Sequence, residues 1–197
     1  MMHASTFYPD TIERMERAVN LVKLRLRKAV EALEAGGVPY AVVGGNAVAA
    51  WVTQVDPGSE RFTRDVDILI ARDSLPATIT AMTVAGFEYA NIAGVDLFID
   101  GPNGRPSEGV HLLYADEKVK PDYLTAAASL AESELGPQFR VVSLEALVRM
   151  KLESNRRKDQ VHILDMVGVG LIDATWPSRF PPHLAERLQH RLDTPDG

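Results

Sequence analysis

The sequence predicts an α/β fold, a mixed sheet flanked by helices, that turns helical toward its C-terminus. Three observations carry this. Short apolar runs, Tyr40–Val43 and Asp65–Ala71, have strand length and sit between segments of helical period. Turn-rich stretches such as GPNGRPSE separate further short runs in the middle of the chain. After Val142 the helical period dominates. The expected organisation is an N-terminal amphipathic helix over 1–36, an α/β core over 37–142, and C-terminal helices over 143–197 packed on that core.

From about Asp10 to Ala35 the apolar residues Ile12, Met15, Val19, Val22, Leu26, Ala29 and Leu33 recur in steps of three and four, and Gly36-Gly37 ends the run. This predicts an amphipathic helix. The same spacing fits a heptad seam, so the stripe serves either a sheet of its own chain or a homodimer through this helix. Tyr40–Val43 reads as a buried strand and Asn46 to about Thr53 as a helix. Gln54–Arg64 is a polar loop, Asp65–Ala71 a strand, and Ser74–Ala85 a helix closed by Gly86. Val95–Asp100 and Gly109–Tyr114 form a hairpin around a loose loop. Residues 115–138 are mixed, and Phe139–Val142 is a short strand. Ser143 is an N-cap for a helix to about Asn155, followed by helices near Asp159–Val167 and Pro182–Leu192. The tail TPDG should fray.

Composition narrows the function classes. A chain of 197 residues with 46% hydrophobic and 24% charged content buries a core without staples. No run reaches the roughly twenty apolar residues of a membrane span, and the N-terminus lacks the pattern of a signal peptide. The absence of cysteine excludes disulfides and thiolate metal sites and is compatible with a cytoplasmic protein. A net charge of −6 argues against non-specific coating of nucleic acid. With 7% aromatics there is no obvious stacking platform for single-stranded RNA. His3, His111, His162, His183 and His190 lack HExxH spacing, and no GxSxG occurs, which argues against a zinc hydrolase and a serine-nucleophile enzyme.

Two stretches carry chemistry. In D65-V-D67-I-L-I-A, strand alternation puts Asp65 and Asp67 on one face and Val66, Ile68 and Ile70 on the other. The two carboxylates lie roughly 7 Å apart along the strand, a span suited to one or two hard divalent cations. An exposed strand start is the plainer explanation of the same pair. Gly44-Gly45 lies between a strand and a helix, where backbone can approach a ligand and free N–H groups can hold a phosphate. A tight turn needing positive φ explains it equally. GxxxxGK[ST] is absent. The dinucleotide pattern fails too, because its third glycine is missing and Asp65 precedes its strand rather than ending it.

Taken together, G44-G45-N46 followed by R61-F-T63-R-D65-V-D67-I resembles the nucleotidyltransferase superfamily, the polymerase-beta-like fold, and within it small bacterial AbiEii-type toxin nucleotidyltransferases. K151-L-E-S-N-R156-R-K158-D159 is similar to a helix pair that follows the sheet in that group, and the resemblance covers roughly residues 36–168. It implies a metal-dependent enzyme in which Asp65 and Asp67 bind Mg²⁺ (or Mn²⁺). Gly44, Gly45 and Asn46, with Thr63 of the motif, hold the NTP, and Lys151, Arg156 and Lys158 neutralise phosphates. A solvated basic helix face explains Lys151, Arg156 and Lys158 as well, and is how Arg157 reads; Asp159 pairs with a neighbouring base or with the sheet, and Asp165 is structural.

Where many members carry a third carboxylate, this chain has His111, which serves either as a catalytic base or as an ordinary strand histidine. Asp96 and Asp100 are the other candidates for that acid, with Asp116 a poorer one. The implied reaction moves an NMP from an NTP to an acceptor hydroxyl, with pyrophosphate leaving. The acceptor is a small molecule, a tRNA end or a protein, and the loops at 54–64 and 101–108 flank the cleft that would choose it. The alternative is a degenerate relative that binds nucleotide or a protein partner without transfer.

Overall fold

The computed structural model describes residues 7–59, 61, 63–101 and 104–194. His3, Phe62 of the aspartate motif, two residues of the 101–108 tip and the final three residues lie outside these. A seven-stranded mixed sheet forms the middle of the fold, in the order β3-β4-β5-β2-β1-β7-β6. Its strands are β1 (Tyr40–Val43), β2 (Val66–Ile70), β3 (Phe87–Ile92), β4 (Val95–Asp100), β5 (Val110–Tyr114), β6 (Ser133–Leu135) and β7 (Arg140–Val142). The helices are α1 (Phe7–Ala35), α2 (Gly44–Val55), α3 (Leu75–Val84), α4 (Leu144–Ser154), α5 (Arg157–Gly168) and α6 (Pro182–Asp193). β2 runs antiparallel to β1 and parallel to β5, and β7 runs parallel to β1. Among the described residues no helix is long and apolar enough to cross a membrane.

Strand alternation sorts the core into two layers. Val42, Ile68, Ile70 and Phe98 pack with Leu26, Val30 and Leu33 of α1 and Met82 of α3. Ala41, Val43 and Leu69 pack on the other face with α2, α4, α5 and α6, through Val48, Leu147, Leu152, Ile163 and Leu184. Every residue of β1 is buried, because both faces are covered.

Several elements depart from the sequence reading. Only the C-terminal half of the α1 stripe meets the sheet: Leu26, Ala29 and Leu33 are buried, whereas Ile12 and Met15 are 53% and 66% exposed. The helix after β1 starts at Gly44, with no intervening loop. Two strands are additional. β3, FEYANI, pairs along its whole length with β4 through a turn at Ala93-Gly94, whose φ values of 52° and 81° suit a tight hairpin. It exposes most of its side chains, so it lacks an apolar run. β6 is a three-residue edge strand on β7. The expected hairpin of β4 and β5 forms. Ser143 caps α4 through the Ala146 N–H, and Asn155 ends it at φ 45°.

Candidate active site

Asp65 immediately precedes β2 and Asp67 is its second residue, both near the strand's N-terminal end. The register sets Asp67 between Val43 of β1 and His111 of β5. Because Asp67 and His111 are direct register partners, the imidazole emerges on the same face as the carboxylates. His111 Nδ1 lies 3.8 Å from Asp67 Oδ1 and 4.0 Å from Asp65 Oδ2. Ligand atoms of all three residues lie within 4.8 Å of one another. His111 Nε2 is 3.0 Å from the Pro106 carbonyl. A proton on Nε2 makes that hydrogen bond, and this assignment leaves the Nδ1 lone pair facing the carboxylates. The Asp67 carboxylate is the largest influence on the ring and holds its pKa above the ordinary value, against the opposing effect of burial.

The glycines are required by close approach. Gly44 has φ +69°, and a Cβ there would fall 2.8 Å from Asp67 Cγ and closer still to its Oδ2. A Cβ on Gly45 would fall 2.8 Å from Thr63 Cβ. Only hydrogen at both positions lets the start of α2 sit against the aspartate segment. No side chain caps the first turn of α2, so its N–H groups remain available. Asn46 Nδ2 donates to the Asp65 carbonyl at 2.9 Å, and Thr63 Oγ1 donates to Asp65 Oδ1 at 2.6 Å. Both side chains therefore fix Asp65. Burial pushes the Asp65 pKa up, but the Thr63 hydrogen bond and the Lys158 ammonium outweigh it, and the net shift is downward.

The basic residues divide by burial. Lys158 is half-exposed, with Nζ 3.8 Å from Asp65 Oδ2. Lys151 is not on a solvated face: its side chain is 6% exposed and its ammonium donates to fully buried Asp159 at 3.0 Å. Burial dominates and lowers the Lys151 pKa despite that partner. Asp159 also accepts from Ser154 and from Arg156 Nε at 2.6 and 2.8 Å. Burial would raise its pKa, but these donors hold it far below the carboxylate range. Arg157 is exposed. Asp165 accepts from Arg61 at 2.6 Å, which ties the segment before β2 to α5.

The other acids do not reach the site. Strand parity turns Asp96 and Asp100 with Phe98 toward the α1 side, away from His111. Asp96 accepts from Tyr89, Asn91 and Tyr114, and Asp100 pairs with Lys28 at 2.6 Å. Asp116 is exposed in the loop after β5. Among the described residues, only Asp65, Asp67 and His111 form a group that could hold a metal ion.

A cleft of about 760 Å³ opens over the carboxylates. Gly44, Asp65, Asp67, His111, Lys151, Arg156 and Lys158 line it, and it continues past Leu113 and Ala127 to Tyr123, Lys118 and Lys120. Sequence reading missed this far end and the Pro106 carbonyl that orients His111. The loop after β5 has neither period nor motif, and a backbone carbonyl leaves no mark on composition.

No family model matches the chain, and no curated protein sequence matches it. Its fold is similar to solved nucleotidyltransferase structures. ANT(2'')-Ia in complex with adenylyl-2''-tobramycin matches at TM-score 0.56 and 16% identity, over 87% of this chain and 98% of that one. An antigenic nucleotidyltransferase-like protein from Paracoccidioides brasiliensis matches at 0.55 and 21%, over 88% and 89%. A protein from H. pylori described as a nucleotidyltransferase matches at 0.51 and 14%, over 90% and 78%. The chain thus has the nucleotidyltransferase fold.

Proposed function

We propose that the chain is a divalent-metal-dependent nucleotidyltransferase of the small AbiEii type, moving an NMP from an NTP to an acceptor hydroxyl with release of pyrophosphate. One observation carries this reading: the ligand atoms of Asp65, Asp67 and His111 converge within 4.8 Å beside the glycine start of α2. Two carboxylate oxygens fit a hard cation such as Mg²⁺ or Mn²⁺, and Asp65 and Asp67 would hold it. Bound there, the ion would neutralise phosphate charge and orient the α-phosphate.

The chain's own residues do the rest. Backbone N–H groups at Gly44, Gly45 and Asn46 receive phosphate oxygens at the positive end of α2. Lys158 adds a mobile positive charge, Arg156 a second, and buried Lys151 a fixed one. Thr63 and Asn46 hold Asp65 in place. The acceptor oxygen bonds to the α-phosphorus as the bond from that phosphorus to the α–β bridging oxygen breaks. Pyrophosphate leaves with that electron pair, and His111 takes the hydroxyl proton at Nδ1.

A cytoplasmic location follows from the NTP substrate. The exposed Ile12 and Met15 of α1 favour a homodimer through that helix. A second reading, nucleotide or partner binding without transfer, is favoured by one feature: among the described residues His111, not an acid, completes the group.

The test is incubation with α-³²P-labelled NTPs, Mg²⁺ and a panel of small-molecule, tRNA and protein acceptors. Label on an acceptor with matching pyrophosphate release, absent in Asp65→Asn/Asp67→Asn, is the expected result. NTP binding with no label on any acceptor would favour the second reading.

A further inference from the structure

The reactive end holds one donor that a hard cation does not use. Each aspartate has one oxygen already placed: Asp65 Oδ1 accepts from Thr63 at 2.6 Å, and Asp67 Oδ2 lies against Gly44. The two remaining oxygens are the ones that face His111. Nδ1 stands 3.8 Å from Asp67 Oδ1 and 4.0 Å from Asp65 Oδ2. The ring is held in that attitude by its other nitrogen, whose proton goes to the Pro106 carbonyl at 3.0 Å. A metal-ligating histidine is normally oriented in this way, by a carbonyl or carboxylate on the nitrogen away from the ion. The three side chains are 21–23% exposed, so an ion can reach them from the cleft. Lys158, 3.8 Å from Asp65 Oδ2, is 51% exposed and can swing into solvent.

Distance and charge both favour a cation that accepts nitrogen. Zn²⁺ binds imidazole nitrogen and carboxylate oxygen at roughly 2.0–2.2 Å, and tetrahedral ligands stand about 1.6 bond lengths apart, or about 3.4 Å. Nδ1 therefore needs to close by about half an ångström on each of its two oxygens. Mg²⁺ behaves differently: it demands oxygen, keeps several waters and is held through one or two carboxylates. His111 offers it no oxygen and, when neutral, no charge. A third acid in this place would strengthen the hold on Mg²⁺, whereas an imidazole favours borderline ions such as Zn²⁺.

Building on the nucleotidyl-transfer reading, we propose that Asp65, Asp67 and His111 form a three-ligand Zn²⁺ site overlapping the two-carboxylate Mg²⁺ site, and that Zn²⁺ there blocks transfer. The Nδ1 lone pair can take the acceptor's proton or bind an ion, not both. With Mg²⁺ on the carboxylates the lone pair is free and His111 is a base. With Zn²⁺ it is a ligand, and the acceptor's proton has no receiver.

The experiment titrates the full chain with Zn²⁺ and separately with Mg²⁺ in a calorimeter. Nucleotide is left out, and the solution is held at about pH 8 to favour the unprotonated ring. Zn²⁺ should bind at least about a hundredfold more tightly than Mg²⁺. His111→Ala should weaken Zn²⁺ binding about tenfold or more and leave Mg²⁺ within about threefold. His111→Asp should tighten Mg²⁺ and narrow the ratio. Long-range ¹H–¹⁵N spectra of the wild type give a readout independent of affinity: on Zn²⁺ addition the His111 Nδ1 resonance should shift while Nε2 stays protonated. Mg²⁺-supported NTP turnover should then stop at the Zn²⁺ concentration that fills the calorimetric site. Similar affinities for the two metals, no loss of Zn²⁺ affinity in His111→Ala, or turnover that continues with the site filled would overturn the proposal. Absence of Mg²⁺-supported turnover with any acceptor, beside Zn²⁺ titrations that behave as expected, would sink the transfer reading, and the block with it, while upholding the three-ligand set.

Discussion

Replacing Asp159 with alanine should destabilise the fold by about 3–5 kcal/mol. The carboxylate is fully buried and accepts from Lys151, Ser154 and Arg156. Ser154 and Arg156 are partly exposed and can turn to water. Lys151 cannot, with a side chain 6% exposed. Its one escape is to lose its proton. From an ordinary value near 10.4, deprotonation at pH 7 costs about 1.4 kcal/mol per unit, or about 5 kcal/mol. That figure bounds the charge contribution from above. With a urea m-value of about 2 kcal/mol per molar, the midpoint should fall by about 1.5–2.5 M. The second half of the prediction is recovery. Lys151→Met/Asp159→Leu removes both charges and fills similar volume, so its midpoint should return to within about 1 M of wild type. An Asp159→Ala midpoint within about 0.5 M of wild type would refute the premise that Lys151 depends on this partner. So would a double variant no more stable than the single one.

Gly44→Ala places a methyl against the Asp67 carboxylate at φ +69°; Mn²⁺ affinity, followed by electron paramagnetic resonance, should fall at least about tenfold, with about 1–2 kcal/mol of stability lost to backbone strain. Gly45→Ala presses on Thr63 instead and should act on Asp65 more mildly. His111→Ala should lower the transfer rate by about 10²–10⁴ while NTP affinity stays within about threefold, as measured by single-turnover kinetics and calorimetry. His162 provides a pH signature. Among the described residues its buried Nδ1 has no hydrogen-bond partner, and burial, reinforced by Lys151, lowers its pKa to about 4. The folded state therefore binds fewer protons than the unfolded one, so this stability is fully present above pH 6.5 and is lost as pH falls toward 4. The ring is partly exposed, which reduces the effect to about 1–2 kcal/mol. Urea unfolding at pH 7 and 4.5 should show wild type losing that much more than His162→Gln.

The reactive end was legible because its logic is local. Strand parity alone puts Asp65 and Asp67 on one face, and a glycine pair after a buried strand marks a close approach. The sequence could show that approach but not its object: the atoms that exclude a Cβ belong to Asp67 and Thr63, some twenty positions away. Parity also failed instructively at Asp96 and Asp100. They do share a face, but the face is set by the β4–β5 register, and that register turns it toward α1. β3 escaped notice because an edge strand with solvated side chains has no apolar run to reveal it. Lys151 looked like part of a basic surface because burial depends on α4 packing beside α5, which charge patterning cannot report. The α1 stripe is continuous in sequence, yet only its second half packs on the core.

The most direct measurement is calorimetric titration of the four NTPs with Mg²⁺ into wild type and into Asp65→Asn/Asp67→Asn. At least one NTP should bind the wild type at micromolar affinity, only with the metal, and fail to bind the double variant. Binding that is equal in both proteins, or absent from both, would contradict the assignment of the carboxylate pair as a nucleotide–metal site.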